Sequence, residues 1–573
     1  MEKLKPDATG IYVAAHQAPK AIEEAIEAEV PLIVAVAEHI PIHDILRINA
    51  MLKTQSKSRF VGANSPGIIS AIGKCRIGFQ PLPCFAPGRI GIVAKSGTLS
   101  YEAVAATTRA GLGQSLCVGM GGDVIAGTNF VDALRVFEHD DETEGIVIIG
   151  EIGGRAELDA VQWIKEYKQR TANPKPIAAL VGGVHAAPGR VMGHAGAFTV
   201  AGEPDASAKI RAFESVGVTM VNHPAKFGEA MKTLLGQSGR VSSGFAAQGT
   251  AAGLKRGMHT MARRVRPSVK RTVPSAQQKR SLYIGEEHAF DLVRQRGISA
   301  TKGVGPAKQH LLAVAIDRTA KSPAIVVSPA TNPDAVYDEA KYFPFDYLTG
   351  FSDAELPAIA QHLGIHDRAL ESLKSLIHKL VALYMEKEAF LLETKVTEHL
   401  GGLEVTAAHF GFDDAAFRST KRQADIHALR DLAAEDPNGL EAEKDGIVYI
   451  RLAGDGNIGT LVNGAGLAMN TVDALRDAGG ISANFLDTGG KATSETVKKS
   501  FEVILKDERV KAIFVNIFGG LTLGDMIANG VLLAFKELDM QVPVVVRIRG
   551  TNEAEGQRIV SLPFLTSQRL GLV

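Results

Sequence analysis

The sequence predicts an α/β protein of several domains built on parallel sheets. Three observations carry that expectation. Short β-branched runs alternate with stretches of helical period along most of the chain. One α/β segment recurs near the other end of the chain, its motifs in the same order. And 573 residues are too many for a single core, so the chain divides into about three or four domains of ordinary size.

Composition narrows the function classes. Lys+Arg and Asp+Glu are 63 each, so no net field draws the chain to nucleic acid or to an acidic membrane. Cys75, Cys84 and Cys117 show neither metal-ligand spacing nor the even count of a disulfide framework, which suits a reducing compartment. No apolar run is long enough to span a bilayer, and the first residues mix both charge signs without an apolar signal core. A soluble, cytoplasmic protein is the expectation, with a mitochondrial one as the alternative.

Residues 11 to 86 open the α/β rhythm. Ile11-Tyr-Val-Ala14 and Leu32-Ile-Val-Ala-Val36 read as strands; Lys20 to Ala28 and Ile42 to Leu52 read as helices. A dinucleotide-type domain usually begins with a strand and a Gly-rich phosphate loop, and nothing before residue 11 reads as one, so this looks like the second half of such a domain. Arg89-Ile-Gly-Ile-Val93 is a strand, Ala94 to Tyr101 a turn, and Glu102 starts a helix that Ser96 or Thr98 can cap. Free N–H groups and a positive dipole end make that terminus an anion site. Strands follow at Gly145 to Gly150 and Ile177 to Val181, the second leading to Gly189-Arg-Val-Met-Gly-His-Ala-Gly-Ala197. His194 stands there between small residues after the turn signal Ala187-Pro188-Gly189. Its ring can meet a phosphate, although a histidine between glycines also fits an ordinary surface loop.

Asn457 to Leu467 mirrors Arg89 to Leu99, with Gly459 standing 368 residues after Gly91. Gly489-Gly490 follows Gly121-Gly122 at the same offset, and Ala512 to Gly520 echoes Ile146 to Gly154. Two copies of one unit, each with a helix start at a glycine turn, predict a pseudo-twofold pair with phosphate sites facing one another and the histidine loop between them. Between the copies, residues 240 to 281 are basic and acid-free, with Phe245 as the lone aromatic. They read as a linker of transit-peptide composition, the relic of a second leader after fusion. Tyr283 to Lys421 is a further α/β stretch. It has strands at Leu312 to Arg318 and Ala324 to Ser328 and a long helix from an Asp367 N-cap to before Phe390; residues 422 to 446 are a charged bridge.

These residues resemble succinyl-CoA synthetase (succinate–CoA ligase), with an α-like part first and a β-like part fused behind it. The α-like resemblance rests on Ser96-Gly-Thr-Leu-Ser-Tyr-Glu-Ala103, Gly121-Gly-Asp123, Ile149-Gly-Glu-Ile-Gly-Gly154 and Met192-Gly-His-Ala-Gly196. The β-like resemblance rests on Asp455 to Gly459, Val462 to Met469, Asn484 to Asp487 and Asn516 to Gly520. The resemblance implies a truncated Rossmann-like CoA-binding domain (1–86) and a flavodoxin-like CoA-ligase domain carrying the phosphohistidine loop (87–239). After the basic linker (240–281) it implies a truncated ATP-grasp-like region (282–440) and a second flavodoxin-like CoA-ligase domain (441–573).

It further implies the chemistry. ATP or GTP phosphorylates His194, the phosphoryl group passes to succinate or a related acid, and the CoA thiol attacks the acyl phosphate. Glu151 fixes the ring tautomer. Ser96, Gly97 and Thr98 with Gly464, Ala465 and Gly466 hold the phosphoryl group. Tyr101, Asn463, Gly520, Leu521 and Thr522 fall at the dicarboxylate, and Val36, Ala37 and Glu38 at part of the CoA contact. The implied partners are small molecules, neither nucleic acid nor membrane, with either an intramolecular pseudo-αβ pair or a homo-oligomer. The chain departs from the family in places. Ser65 replaces a cysteine, and most of the first nucleotide-binding lobe is skipped between Gly297-Ile-Ser-Ala-Thr301 and Leu311. Magnesium is expected of the family. Its glutamate is kept as Glu393, but Lys395 and Ala407 occupy the two ligand positions, so no metal site is expected.

Overall fold

The computed structural model describes residues 5–572 except 188, 200–202, 241–280, 304–308, 331–335, 337–338, 400–401, 490–491, 521, 539 and 562–569. Apart from its first and last residues, 240 and 281, the basic linker therefore lies outside the described residues, as do Gly490 and Leu521. Four sheets follow one another along the described residues.

The first sheet is parallel: β1 (Ala8–Ile11), β2 (Leu32–Ala35) and β3 (Arg59–Val61), with α1 (Ala18–Glu27) and α2 (Ile42–Lys53) as crossovers. The expected first strand is displaced. Ile11 is the last residue paired to β2, and Tyr12 and Val13 beyond it face solvent.

The second sheet contains β4 (Gly67–Ser70), β5 (Cys75–Gly78), β6 (Pro87–Ala94), β7 (Gln114–Gly119), β8 (Gly145–Glu151), β9 (Ile177–Gly182) and β10 (Thr219–Met220) in the order β10-β9-β8-β6-β7-β4-β5. Strands β6 to β10 are parallel; β4 runs antiparallel to β7 and β5. Strands β4 and β5 stand before residue 86 yet extend this sheet, so the ladder crosses the boundary expected there. Helices α3 (Gly97–Arg109), α4 (Phe130–His139), α5 (Ala156–Arg170), α6 (Ala206–Ser215) and α7 (Phe227–Gln237) cover it. Helix α3 starts five residues before the Glu102 expected. Ser96, extended at φ −100° and ψ 129°, caps it by accepting from the Leu99 N–H, and Thr98 is inside the first turn.

The third sheet is antiparallel, β11 (Ser281–Tyr283), β12 (His310–Asp317), β13 (Ser322–Ser328), β14 (Lys341–Pro344), β15 (Ala389–His399) and β16 (Gly402–Asp413), ordered β11-β16-β15-β12-β13-β14. Helices α8 (Glu286–Gln295), α9 (Leu356–Leu363) and α10 (Leu370–Lys387) belong to the same core. Asp367 is not the cap of the long helix; it opens a 3-10 turn that precedes α10. After α11 (Asp414–Thr420) the charged bridge folds into α12 (Ala424–His427) and α13 (Pro437–Lys444), tied by Arg430 to Glu435 and Glu443.

The fourth sheet repeats the second. Its strands β17 (Val448–Arg451), β18 (Ile458–Val462), β19 (Asn484–Asp487), β20 (Ala512–Gly519), β21 (Val544–Gly550) and β22 (Leu570–Leu572) run in the order β17-β19-β18-β20-β21-β22, with helices α14 (Ala465–Asp477), α15 (Ser494–Leu505), α16 (Gly524–Glu537) and α17 (Glu553–Val560). The orders correspond strand for strand: β4-β7-β6-β8-β9-β10 matches β17-β19-β18-β20-β21-β22, including the antiparallel edge. Helices α3 (97 to 109) and α14 (465 to 477) begin and end 368 residues apart. The two units share one apolar core in which Leu99, Ile149 and Val181 pack with Val462, Leu467, Met469 and Phe485.

Candidate active site

In each copy the first crossover helix starts at a glycine turn, and the two starts meet. A side-chain carbon on Gly466 would fall 2.0 Å from Ser96 Oγ, and one on Gly464 would fall 2.2 Å from Thr98 Oγ1. Gly464 holds φ +94°, a conformation that favours glycine. Its N–H donates to Asp487 Oδ1 at 2.7 Å, and that oxygen also accepts from Gly489 N at 2.8 Å. Asp487 was not singled out from sequence; its signal is a buried acid at the C-terminal end of a strand, the edge where open α/β sheets bind ligands.

The histidine loop lies against this junction. Gly193, at φ +83°, packs on Ala465, where an added carbon would stand 2.2 Å from the alanine Cβ. The His194 ring lies on Gly122, whose added carbon would meet ring Cγ at 2.4 Å. Two short bonds close the loop on itself, Met192 N to Ala197 O at 2.8 Å and Ala197 N to His194 O at 3.1 Å; Gly196 N anchors it to Gly122 O at 2.9 Å.

Glu151 ends β8, and its Oε2 lies 2.8 Å from His194 Nδ1. Burial disfavours the charged ring, yet the charge and hydrogen bond of Glu151, with Glu38 and Asp487 further out, outweigh it and hold His194 above the usual imidazole value. Under Glu151 is an ion triad whose Glu157 and Lys209 are fully buried and whose Lys95 is largely so. Glu157 Oε2 pairs with Lys209 Nζ at 2.6 Å and Oε1 with Lys95 Nζ at 2.8 Å. Lys209 also donates to Glu151 O and Gly153 O, each at 2.8 Å, and Glu157 accepts the Glu151 N–H. Burial works against the Glu157 carboxylate, but the two lysines prevail and bring it down to about 2. Burial brings Lys209 down to about 8 despite that partner.

Other residues named from sequence fall around this centre. Tyr101 is buried with its ring against Gly520, and burial pushes its phenol far up. Asn463 is committed to β20: its amide donates to Phe518 O and accepts from Phe518 N, both at 2.9 Å. Thr522 is buried close to Gly520 in sequence. Val36, Ala37 and Glu38 follow β2, and Glu38 shares a cavity of about 50 Å³ with Asp123, Asp413 and Ala195 of the histidine loop. Asp123 is pushed up to about 7 by burial, with Glu38 and Asp413 adding to it and Asn64 and His194 opposing.

A cavity of about 330 Å³ separates the histidine loop from the third sheet, with Ala195 and Phe198 on one wall and Tyr283, Phe390, Glu393 and His409 on the other. Lys395 and Ala407 stand opposite each other in the β15–β16 ladder. An ammonium and a methyl group offer no oxygen to a hard divalent cation, so magnesium does not fit these positions. Among the described residues no cluster of three or more His, Cys, Asp and Glu side chains is disposed to hold a metal, and no helix is long and apolar enough to cross a membrane.

The CoA-ligase family profile matches residues 93–219 and 461–568, the two repeated units. Over 238 residues the chain is 42% identical to the mitochondrial alpha-2 subunit of succinate–CoA ligase (ADP-forming) from Trichomonas vaginalis, spanning 41% of this chain and 76% of that subunit. Over 221 residues it is 42% identical to the alpha subunit of the ADP-forming succinate–CoA ligase of Staphylococcus epidermidis, spanning 39% of this chain and 71% of that one. An ATP citrate lyase structure from Methanosaeta concilii aligns at 26% identity with a TM-score of 0.37, over 41% of this chain and 40% of that chain. The chain belongs to the CoA-ligase family. Within that family, its α-like half is similar to the α subunits of ADP-forming succinate–CoA ligases.

Proposed function

We propose that the chain is an acid–CoA ligase of the nucleoside-diphosphate-forming type, converting succinate or a related carboxylic acid to its CoA thioester through a phosphohistidine at His194. The supporting observation is the 2.8 Å pairing of His194 Nδ1 with Glu151 beside two meeting helix starts. With the Nδ1–H donated to Glu151, the neutral ring keeps the Nε2 lone pair for phosphorus. Backbone N–H groups at the starts of α3 and α14, from Ser96, Gly97 and Thr98 and from Ala465 and Gly466, offer a preorganised positive end to the phosphoryl oxygens, with Gly464, its own N–H held by Asp487, shaping the second turn. Tyr101, Gly520, Leu521, Thr522 and Asn463 are assigned to the acid, and Val36, Ala37 and Glu38 to CoA. CoA and ATP or GTP are substrates in this reading. No step is assigned to magnesium.

The facing of Lys395 and Ala407 favours a second reading, a relative that has lost nucleotide and magnesium binding and is non-catalytic or takes its phosphoryl group with the help of a partner. Labelled ATP or GTP with magnesium, a His194→Ala control and a chase with succinate and CoA separate the two. Acid-labile label that requires His194 and is discharged by the chase supports the ligase. A folded protein that takes no label from either nucleotide refutes the self-sufficient ligase and supports the second reading.

A further inference from the structure

The histidine loop and the Glu151 segment are tied together by a residue from outside the CoA-ligase units. Arg318 directly follows β12, in the turn from β12 into β13 of the third sheet, and its side chain is only 14% exposed. Its Nη1 donates to Gly196 O at 3.2 Å, two residues after His194. The guanidinium lies over the Phe198 ring, 4.3 Å from the centroid, and its Nε stands 3.5 Å from Glu203 Oε1. The same side chain covers the backbone that follows Glu151. A side-chain carbon on Gly153 would meet Arg318 Nη1 at 3.0 Å, and one on Gly154 would meet its Cδ at 3.3 Å; both glycines have positive φ, +89° and +65°.

The hairpin that presents Arg318 is itself fixed. Asp317 Oδ1 accepts the N–H groups of Thr319 and Ala320, each at 2.9 Å. Lys321 Nζ donates to Gly127 O and Lys53 Nζ to Ala320 O, each at 2.7 Å, anchoring the turn to the second and first domains. The guanidinium also borders both the 330 Å³ cavity and a polar cavity of about 100 Å³ that reaches Glu151, Asp123 and Lys95.

We infer that Arg318 is a positioning residue for the His194–Glu151 pair, through which the truncated third domain sets the geometry of the centre. The inference rests on the proposed role of His194, but its test does not depend on turnover. A planar guanidinium suits the task because it can stack on Phe198 while donating in its own plane to Gly196; an ammonium reproduces only the charge. This gives the third domain a use in the centre that is independent of the Lys395 and Ala407 positions.

The test uses the full chain labelled with 15N-histidine, with His194→Gln assigning the resonance. The imidazole shifts report whether Nδ1 keeps its proton and at what pH the ring titrates. In Arg318→Met the midpoint should fall towards the ordinary value of about 6.5 as Glu151 and His194 separate, and His194 labelling should fall about tenfold or more. Loss of a nearby cation would by itself raise the midpoint, so a fall isolates positioning from charge. Arg318→Lys should recover part of the shift. Glu203→Gln leaves the packing in place and should weaken the Nδ1 hydrogen-bond signal by less; losing an anion lowers the midpoint by itself, so this variant is read by the Nδ1 signal, and it replaces Arg318→Met if that variant fails to fold. A folded Arg318→Met whose His194 midpoint and Nδ1 signal match the parent, or Glu203→Gln in its place whose Nδ1 signal does, overturns the inference. Absence of label in the parent chain would count against the proposed function alone, because the resonance reports positioning with or without catalysis.

Discussion

Gly466 of the second copy lies against Ser96 of the first so closely that a side-chain carbon on the glycine would stand 2.0 Å from the serine oxygen. Ser96 caps α3, so the contact sets how near the two helix starts come. Gly466→Ala should force them apart, costing about 1–3 kcal/mol of stability as overpacking does, and should slow phosphoryl transfer at His194 by about tenfold or more. Gly236 near the end of α7 has nothing within 4 Å of an added carbon, so Gly236→Ala should be neutral or stabilising by up to about 1 kcal/mol. Urea unfolding of both variants, with labelling kinetics, checks the contrast.

Asp473, on the far part of α14, accepts three backbone N–H groups from the α-like half: Gly183 at 2.8 Å, Val184 at 3.1 Å and His185 at 2.8 Å. That segment leaves β9 and leads to the histidine loop. Asp473→Ala would strip these donors of their acceptor, an expected loss of about 1–3 kcal/mol. Hydrogen exchange at residues 183–185 should accelerate in the variant while exchange in the third sheet stays as in the parent.

Much of this arrangement is legible in the sequence because it is repeated. An offset of 368 residues held from Gly91 to Gly122, with the echo of Ile146 to Gly154 behind it, predicts two equivalent sheets, and the strand orders match from the antiparallel edge to the last strand. The glycine turns and His194 stand out because small residues there have no other use. Residues whose partners are distant in the chain are harder to read. Glu102 forms an ion pair with Arg547, 445 residues away, and neither carries a local signal. Arg318 reads as the charged last residue of a strand, and the early start of α3 is hidden because Gly97 and Thr98 look like a turn until Ser96 is seen to cap them.

Lys209 is the sharpest of these hidden cases. Its sequence neighbourhood carries no signal of a special role; in the fold its side chain is fully buried against Glu157 and under Glu151 O and Gly153 O. Lys209→Met would leave Glu157 buried with Lys95 alone, and breaking such a pair costs about 3–5 kcal/mol. The double variant Lys209→Met/Glu157→Leu should recover a large part of that loss, since an apolar pair of similar volume has no charge to desolvate. Denaturant midpoints of the two variants decide it.

The pH dependence of His194 labelling should separate the Glu151 contribution from that of burial. The attacking atom is an unprotonated Nε2, so the rate should rise with pH through the midpoint of the ring. That midpoint is held above 6.5 because the charge and hydrogen bond of Glu151, together with the charges of Glu38 and Asp487, outweigh burial. Glu151→Gln removes the charge but keeps the shape, leaving burial as the largest influence, so the midpoint should drop and the variant should be labelled relatively better at acid pH. Its maximal rate should still be lower, since a neutral amide orients the ring less strongly than a carboxylate. Stability carries the complementary sign. A histidine whose folded value is raised contributes stability that is fully present below its unfolded value of about 6.5 and is lost as pH rises through the folded one. The parent should therefore lose more stability than Glu151→Gln as pH rises across that window. Parallel rate profiles and parallel stability curves for the two proteins would mean that Glu151 does not govern the ring, whatever its distance.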